Sequence, residues 1–256
     1  MAAVIEQYAV RTRGIGLPDY AQPKPAGAVP VGPVYTSTDT AELAARLGSP
    51  ITFDRRGNVY WLDDFESGVD KWECFDGTLS WSSAKSRSGG FSARILSAAP
   101  PADGSMTVRL PLPAMGKFGF EYSFNLPDAV AANRTINIGI VYHTPDYMLR
   151  GSLRWVSNVL WAVPWGGPAA IRVNPNLELA IWDKIFYNWK LVLDFPNMHF
   201  LRAIFNGQQY DLSALPLVSE PPIVGYDFSF LLANIWTNND AYADDAIVTV
   251  NEPDNI

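Results

Sequence analysis

From Lys117 to Leu126 the chain places an apolar side chain at every even position (Phe118, Phe120, Tyr122, Phe124, Leu126), with Gly119, Glu121, Ser123 and Asn125 between them. Successive side chains leave a strand on opposite sides, so strict alternation predicts a strand with one dry face and one wet face. The same period recurs. It puts Ile136, Ile138, Ile140 and Tyr142 on one face of 134–143, and Trp189, Leu191, Leu193 and Phe195 on one face of 188–195. Further strands are expected near 51–53, 59–62, 78–82, 91–96, 106–112, 148–156, 177–182, 198–205, 228–237 and 246–250. Asp54 to Asn58 reads as a hairpin turn, and Asn206-Gly207 as another. Many alternating strands and almost no helix predict an all-β, antiparallel two-sheet sandwich.

Residues 1 to about 35 read differently. Pro18, Pro23, Pro25, Pro30 and Pro33 alternate with Gly14, Gly16, Gly27 and Gly32, which forbids helix and discourages ladder hydrogen bonding. Such a segment has no core of its own and is expected to lie along the body or along a neighbouring subunit. Tyr8, Ile15, Leu17, Tyr20, Val31 and Tyr35 are its expected contact residues. One short helix follows over about 39–47, opened by Asp39 with Glu42 three residues on and closed by Gly48 and Pro50. The expected organisation is an arm with its helix over 1–58 and a β body over 59–256.

Among the 256 residues, 48% are hydrophobic and 13% aromatic, ample for a packed core. A net charge of −7 argues against a nucleic-acid groove and against an anionic membrane surface, both of which need a basic face. The N-terminal residues lack the pattern of a secretory signal. The oily stretch from Trp155 to Ile171 is broken by Pro164, Gly166, Gly167 and Pro168, so no membrane span is expected. Cys74 is the only cysteine; it reads as a small buried hydrophobe rather than a reactive thiol.

Two segments resemble a known family. Leu62-Asp63-Asp64-Phe65-Glu66-Ser67-Gly68 with Trp72, and Ser86-Arg87-Ser88-Gly89-Gly90-Phe91, are similar to the opening elements of concanavalin-like and carbohydrate-binding-module-type jelly rolls. Tyr242-Ala243-Asp244-Asp245-Ala246 resembles their closing strand. The resemblance spans about 60–251 and implies a jelly-roll sandwich whose first and last strands pair. It also implies a structural calcium held by Glu66 and Asp245, with Asp64 in reserve. The same acids read equally as turn caps and solvated strand ends, and that reading takes precedence because no EF-hand spacing supports a metal. No other cofactor is expected. The arm is similar in style to those with which virion proteins of tailed bacteriophages lace subunits together.

Chemistry is sparse. Glycoside hydrolases of this shape need two carboxylates flanking the scissile bond, and no alternating acidic run exists. Asp63-Asp64 and Asp244-Asp245 are adjacent, so on a regular strand they would point to opposite faces. His143 and His199 have no companions at metal-ligand spacing, and no nucleophile elbow is present. Trp161 and Trp165, in a segment that reads as a Pro/Gly-broken loop, are the candidate ligand-binding residues, since exposed indoles give flat platforms for sugars or partners.

Three functions follow in order. The first is a non-enzymatic virion protein, a capsid or tail decoration binding other virion subunits or copies of itself through the arm. The second is a carbohydrate-binding module for surface glycans. The third is a concanavalin-like glycoside hydrolase.

Overall fold

The computed structural model describes residues 54, 56–97, 104–111, 114–127, 134–167, 169–179 and 185–254. The expected arm contacts, the helix over 39–47 and the strand at 51–53 lie outside them. Among the described residues the strands are β1 (Asn58–Asp63), β2 (Glu73–Phe75), β3 (Gly77–Ser82), β4 (Ser92–Ser97), β5 (Gly104–Pro111), β6 (Lys117–Asn125), β7 (Thr135–His143) and β8 (Met148–Val156). They continue as β9 (Val159–Pro164), β10 (Ile171–Asn174), β11 (Tyr187–Asp194), β12 (His199–Phe205), β13 (Gln208–Asp211), β14 (Ser219–Glu220), β15 (Phe230–Thr237) and β16 (Ala241–Val250). No helix is found among them.

The strands form the two antiparallel sheets of a jelly-roll sandwich. Sheet I has the order β13-β12-β11-β6-β16-β4-β3, with β1 also paired to β16; sheet II has the order β10-β9-β8-β7-β15-β5-β2, with β14 beside β8. First and last strands therefore pair, as the resemblance implies. The even-numbered aromatics of β6 and the odd-numbered Trp189, Leu191 and Leu193 of β11 enter one core together with Ile136, Ile138, Ile140 and Tyr142 of β7. The layers are also tied directly. The Tyr122 hydroxyl donates across the sandwich to the Asn137 carbonyl at 2.9 Å, and the rings of Tyr142 and Phe195 meet at 5.3 Å. Burial drives the Tyr122 phenol well above its ordinary pKa, so it acts here as a neutral donor.

Three expectations need correction. The polar side of β6 is not wet: Glu121, Ser123 and Asn125 are fully buried, Glu121 beside the Lys190 ammonium at 3.8 Å, Ser123 accepting from Asn188 Nδ2 at 3.5 Å and Asn125 donating to the Ile185 carbonyl at 2.7 Å. Leu177–Leu179 are not in a strand. The segment containing Trp161 and Trp165 is a turn only at Trp165: Trp161 lies in β9, which forms a hairpin with β8 whose turn residues Ser157 and Asn158 both take positive φ, 50° and 63°. A two-residue turn of that hand matches the natural twist of paired strands, which lets β9 form despite its proline-terminated sequence. Asn206-Gly207 behaves as expected, with φ of 45° and 83° joining β12 to β13.

Candidate functional site

Alternation assigns one set of side chains of sheet II to the core and the other to its outer face. The register slips only between Arg172 and Asn174 of β10, so one outer row can be followed across seven strands. Arg172 of β10 lies opposite Trp161 of β9, and Trp161 opposite Arg154 of β8. Arg154 faces Asn137 of β7, and Asn137 faces Trp236 of β15. Trp236 faces Ser105 of β5, and Ser105 faces Phe75 of β2. Three aromatic side chains thus stand on one line, with polar groups between them. Strands lie about 4.8 Å apart, so Trp161 and Trp236, three strands from each other, are about 14 Å apart along the row.

The amides of this face are sunk rather than projecting. Asn137 and Asn234 are 3% and 4% exposed, although neither belongs to the inter-sheet core. Arg154 Nε donates to Asn137 Oδ1 at 3.0 Å, and Thr107 Oγ1 donates to Asn234 Oδ1 at 2.5 Å. Trp236 is half-buried, and a Cβ at Gly139 would stand only 2.5 Å from its six-membered ring. The six-membered ring of the indole therefore lies against the glycine of the neighbouring strand, with its Cζ3 and Cη2 atoms where a side chain would stand. Only glycine allows so close an approach. A flat indole backed by a sheet and flanked by amides offers a platform for the apolar face of a sugar ring.

Both tryptophans singled out from the sequence lie on this face. Trp161 has the Arg172 guanidinium 5.0 Å over its ring. Trp165, just beyond β9, donates from Nε1 to Ser152 Oγ at 3.2 Å and lies under the Arg150 guanidinium at 4.3 Å. Arg150 is in turn held in a two-pronged bond by Glu220, at 2.7 and 2.6 Å. Trp165 is thereby braced at the sheet end, whereas Trp161 belongs to the open row. At the other side Arg109 sits 4.5 Å over Tyr226, and His143 is buried in a stack with Phe230 at 4.4 Å.

The acids proposed for calcium do other work in this fold. Glu66 Oε1 accepts the backbone N–H groups of Gly90 and Phe91 at 2.8 and 2.9 Å. Asp245 accepts from Arg87 Nη1 at 2.9 Å and from Ser88 Oγ at 2.6 Å. Asp64 caps its own turn through the Glu66 N–H at 3.1 Å. Together Glu66 and Asp245 fasten two ends of the 86–91 loop, with Arg87 as the cation. Among the described residues no group of three or more His, Cys, Asp or Glu side chains is arranged to hold a metal ion. The expectation that Asp244 and Asp245 diverge fails for a local reason. Asp245 has φ 50°, the register slips between Asp244 and Ile247, and this bulge turns both carboxylates toward Arg87 and Ser88. Burial, then the neighbouring Asp245, pushes the Asp244 carboxyl up to about 7.

Carboxylates from distant strands do meet, on sheet I. Lys190 Nζ lies 2.6 Å from Glu252, 3.2 Å from Asp54 and 3.8 Å from Glu121, and Arg202 pairs with Glu252 and Asp54. With Arg56 on Asp54 at 2.8 Å this makes three cations and three carboxylates. Glu121, Glu252, Lys190 and Arg202 are buried, so the cluster is a charge-balanced fastening that holds Asp54, Arg56 and Glu252 against sheet I and offers a polysaccharide no access. Cys74 is half-buried in β2, with burial raising its thiol pKa, which keeps it protonated and inert.

Trp236, Asn137 and Arg154 were not singled out in the sequence. Trp236 could have been: it shares the strand parity of Asn234, opposite to Leu231, Ala233 and Ile235, so it is an indole on a polar face. Asn137 and Gly139 likewise alternate with isoleucines. What pairs them with Trp161 is the strand order, which no local pattern reveals.

No family model matches the chain, and the comparison with curated proteins gives no match. Among solved structures the fold is similar to the conserved carbohydrate esterase vb_24B_21 from Shiga toxin-encoding bacteriophage phi24B, with a TM-score of 0.50 at 12% identity over 74% of this chain and 95% of that one. Looser likenesses include the alginate lyase vAL-1 from Chlorella virus, with a TM-score of 0.47 at 11% identity over 75% and 100% of the chains. Another is the C-terminal family 22 carbohydrate binding module of Clostridium thermocellum Xyn10B, with 0.39 at 14% over 80% and 100%. At these identities the likeness is one of fold alone.

Proposed function

We propose that this chain is a non-enzymatic glycan-binding module whose binding face is the outer surface of sheet II. The observation that carries this reading is the unbroken row from Arg172 through Trp161, Arg154, Asn137 and Trp236 to Phe75. Flat aromatic surface alternating with recessed amide and guanidinium groups is the arrangement that polysaccharides need. Pyranose rings present apolar faces for stacking and a rim of hydroxyls for hydrogen bonds, and a linear row suits a linear chain. A virion subunit that uses this face at a cell surface is the finer form of the same reading, with residues 1–35 as its anchor. Deleting them is then expected to abolish incorporation into the particle without changing glycan binding.

The test is affinity electrophoresis or calorimetry against a panel of soluble polysaccharides, with Trp236→Ala and Trp161→Ala beside the wild type. Binding that falls about tenfold or more in either variant, at unchanged melting temperature, supports the reading. Wild-type binding that both variants retain in full would overturn it.

A further inference from the structure

The charges on this face say which kind of glycan it suits, an inference that rests on the reading above. Four guanidiniums reach the outer surface of sheet II. Two are neutralised: Arg150 by Glu220 at 2.6 Å, and Arg109 by Glu73 at 3.3 Å. The other two, Arg154 and Arg172, are direct cross-strand neighbours of Trp161, one on either side. Neither has a carboxylate within 4.0 Å among the described residues. Arg154 spends only Nε, on the neutral amide oxygen of Asn137, so its Nη1 and Nη2 have no protein partner there. Arg172 is exposed, and among the described residues its guanidinium contacts the Trp161 ring alone.

This is unusual for the composition. The chain carries 26 acidic against 19 basic residues, so two arginines that flank one indole with no carboxylate partner among the described residues run against its overall balance. Guanidiniums without counter-ions present planar forks of donors that match a carboxylate or sulfate group in two-pronged contact. Asn137 fixes the Arg154 plane in advance, which lowers the ordering cost of such a contact. The indole between the two arginines, with the Arg172 guanidinium over its ring, supplies apolar surface beside the anion. We infer that the Arg172–Trp161–Arg154 triplet is a subsite for an acidic sugar, one bearing a carboxylate or a sulfate ester, and that the module prefers anionic over neutral polysaccharides.

The experiment compares matched probes at low and moderate salt: polygalacturonate against its fully methyl-esterified form, and dextran sulfate against dextran. Wild type, Arg154→Gln, Arg172→Gln, Trp161→Ala and an off-site control, Lys85→Gln in the loop between β3 and β4, are each titrated. Tighter binding of one charged member than of its neutral counterpart is expected, and which pair shows it separates carboxylate from sulfate. Each arginine substitution should weaken the charged probe about tenfold and leave the neutral one unchanged, with Lys85→Gln without effect. Equal binding of charged and neutral members, or an equal loss in Lys85→Gln, would overturn the acidic-sugar subsite while leaving glycan binding intact. Silence of the wild type toward both series, with folding verified, would overturn both.

Discussion

Replacing Lys190 by Met removes the ammonium on which Glu252, Asp54 and Glu121 converge, at 2.6, 3.2 and 3.8 Å. Arg202 and Arg56 are then left to serve three carboxylates, and the deficit of one charge falls where Glu121 and Glu252 have almost no contact with water. Removing one partner of a buried ion set costs about 3–5 kcal/mol, because the remaining charge keeps its desolvation penalty. Urea unfolding at pH 7.5 should show that loss with an unchanged denaturant slope. Burial alone would raise the Asp54 carboxyl, but Lys190 and then Arg56 outweigh it and hold it below its ordinary value. A depressed carboxyl contributes stability above its unfolded pKa of 3.8 and loses it as pH falls through the folded value. In Lys190→Met this contribution shrinks and the uncompensated acid takes up a proton, so the gap to wild type should narrow below about pH 5. Glu121 lies directly across β6–β11 from Lys190. Adding Glu121→Leu restores charge balance, and at least half the loss should return. A loss under about 1 kcal/mol in the single variant, or an additive loss in the double one, would refute the picture of a dry, balanced cluster.

Gly139→Ala should lift the Trp236 ring and weaken glycan binding about tenfold, while overpacking lowers stability by about 1–3 kcal/mol; calorimetry and thermal melts separate the two. Asp244, with its pKa raised to about 7, favours the folded state when protonated. That contribution is full below pH 3.8 and lost as pH rises through about 7, so Asp244→Asn should flatten the pH dependence of unfolding between about pH 4 and 7. Tyr122→Phe removes the donor to the Asn137 carbonyl and should cost about 1 kcal/mol in urea unfolding.

The fold was legible because its period-2 pattern is strong. The aromatics of β6 and the isoleucines of β7 specify which side faces the core, and the Asn206-Gly207 turn specifies one hairpin. Burial of the other side of β6 was not legible, since Glu121 reads as solvent-facing until Lys190 is known to gather it with Asp54 and Glu252. Asp244 and Asp245 were misread because parity assumes a regular strand, and a single left-handed residue reverses it. Trp161 was visible as a candidate on its own. Its partners Arg154, Asn137 and Trp236 come from three other strands, and only the sheet order sets them in line.

The most direct measurement is a titration of the 15N-labelled protein with polygalacturonate, following the backbone amides and all indole N–H signals by NMR. If the outer row of sheet II is the binding face, the largest shifts fall on Trp161, Trp236, Arg154 and Asn137, with the indole of buried Trp189 unmoved. Shifts concentrated instead on the exposed Trp81 and Phe91 pair, stacked at 3.9 Å beside the 86–91 loop, would place the site elsewhere and contradict it.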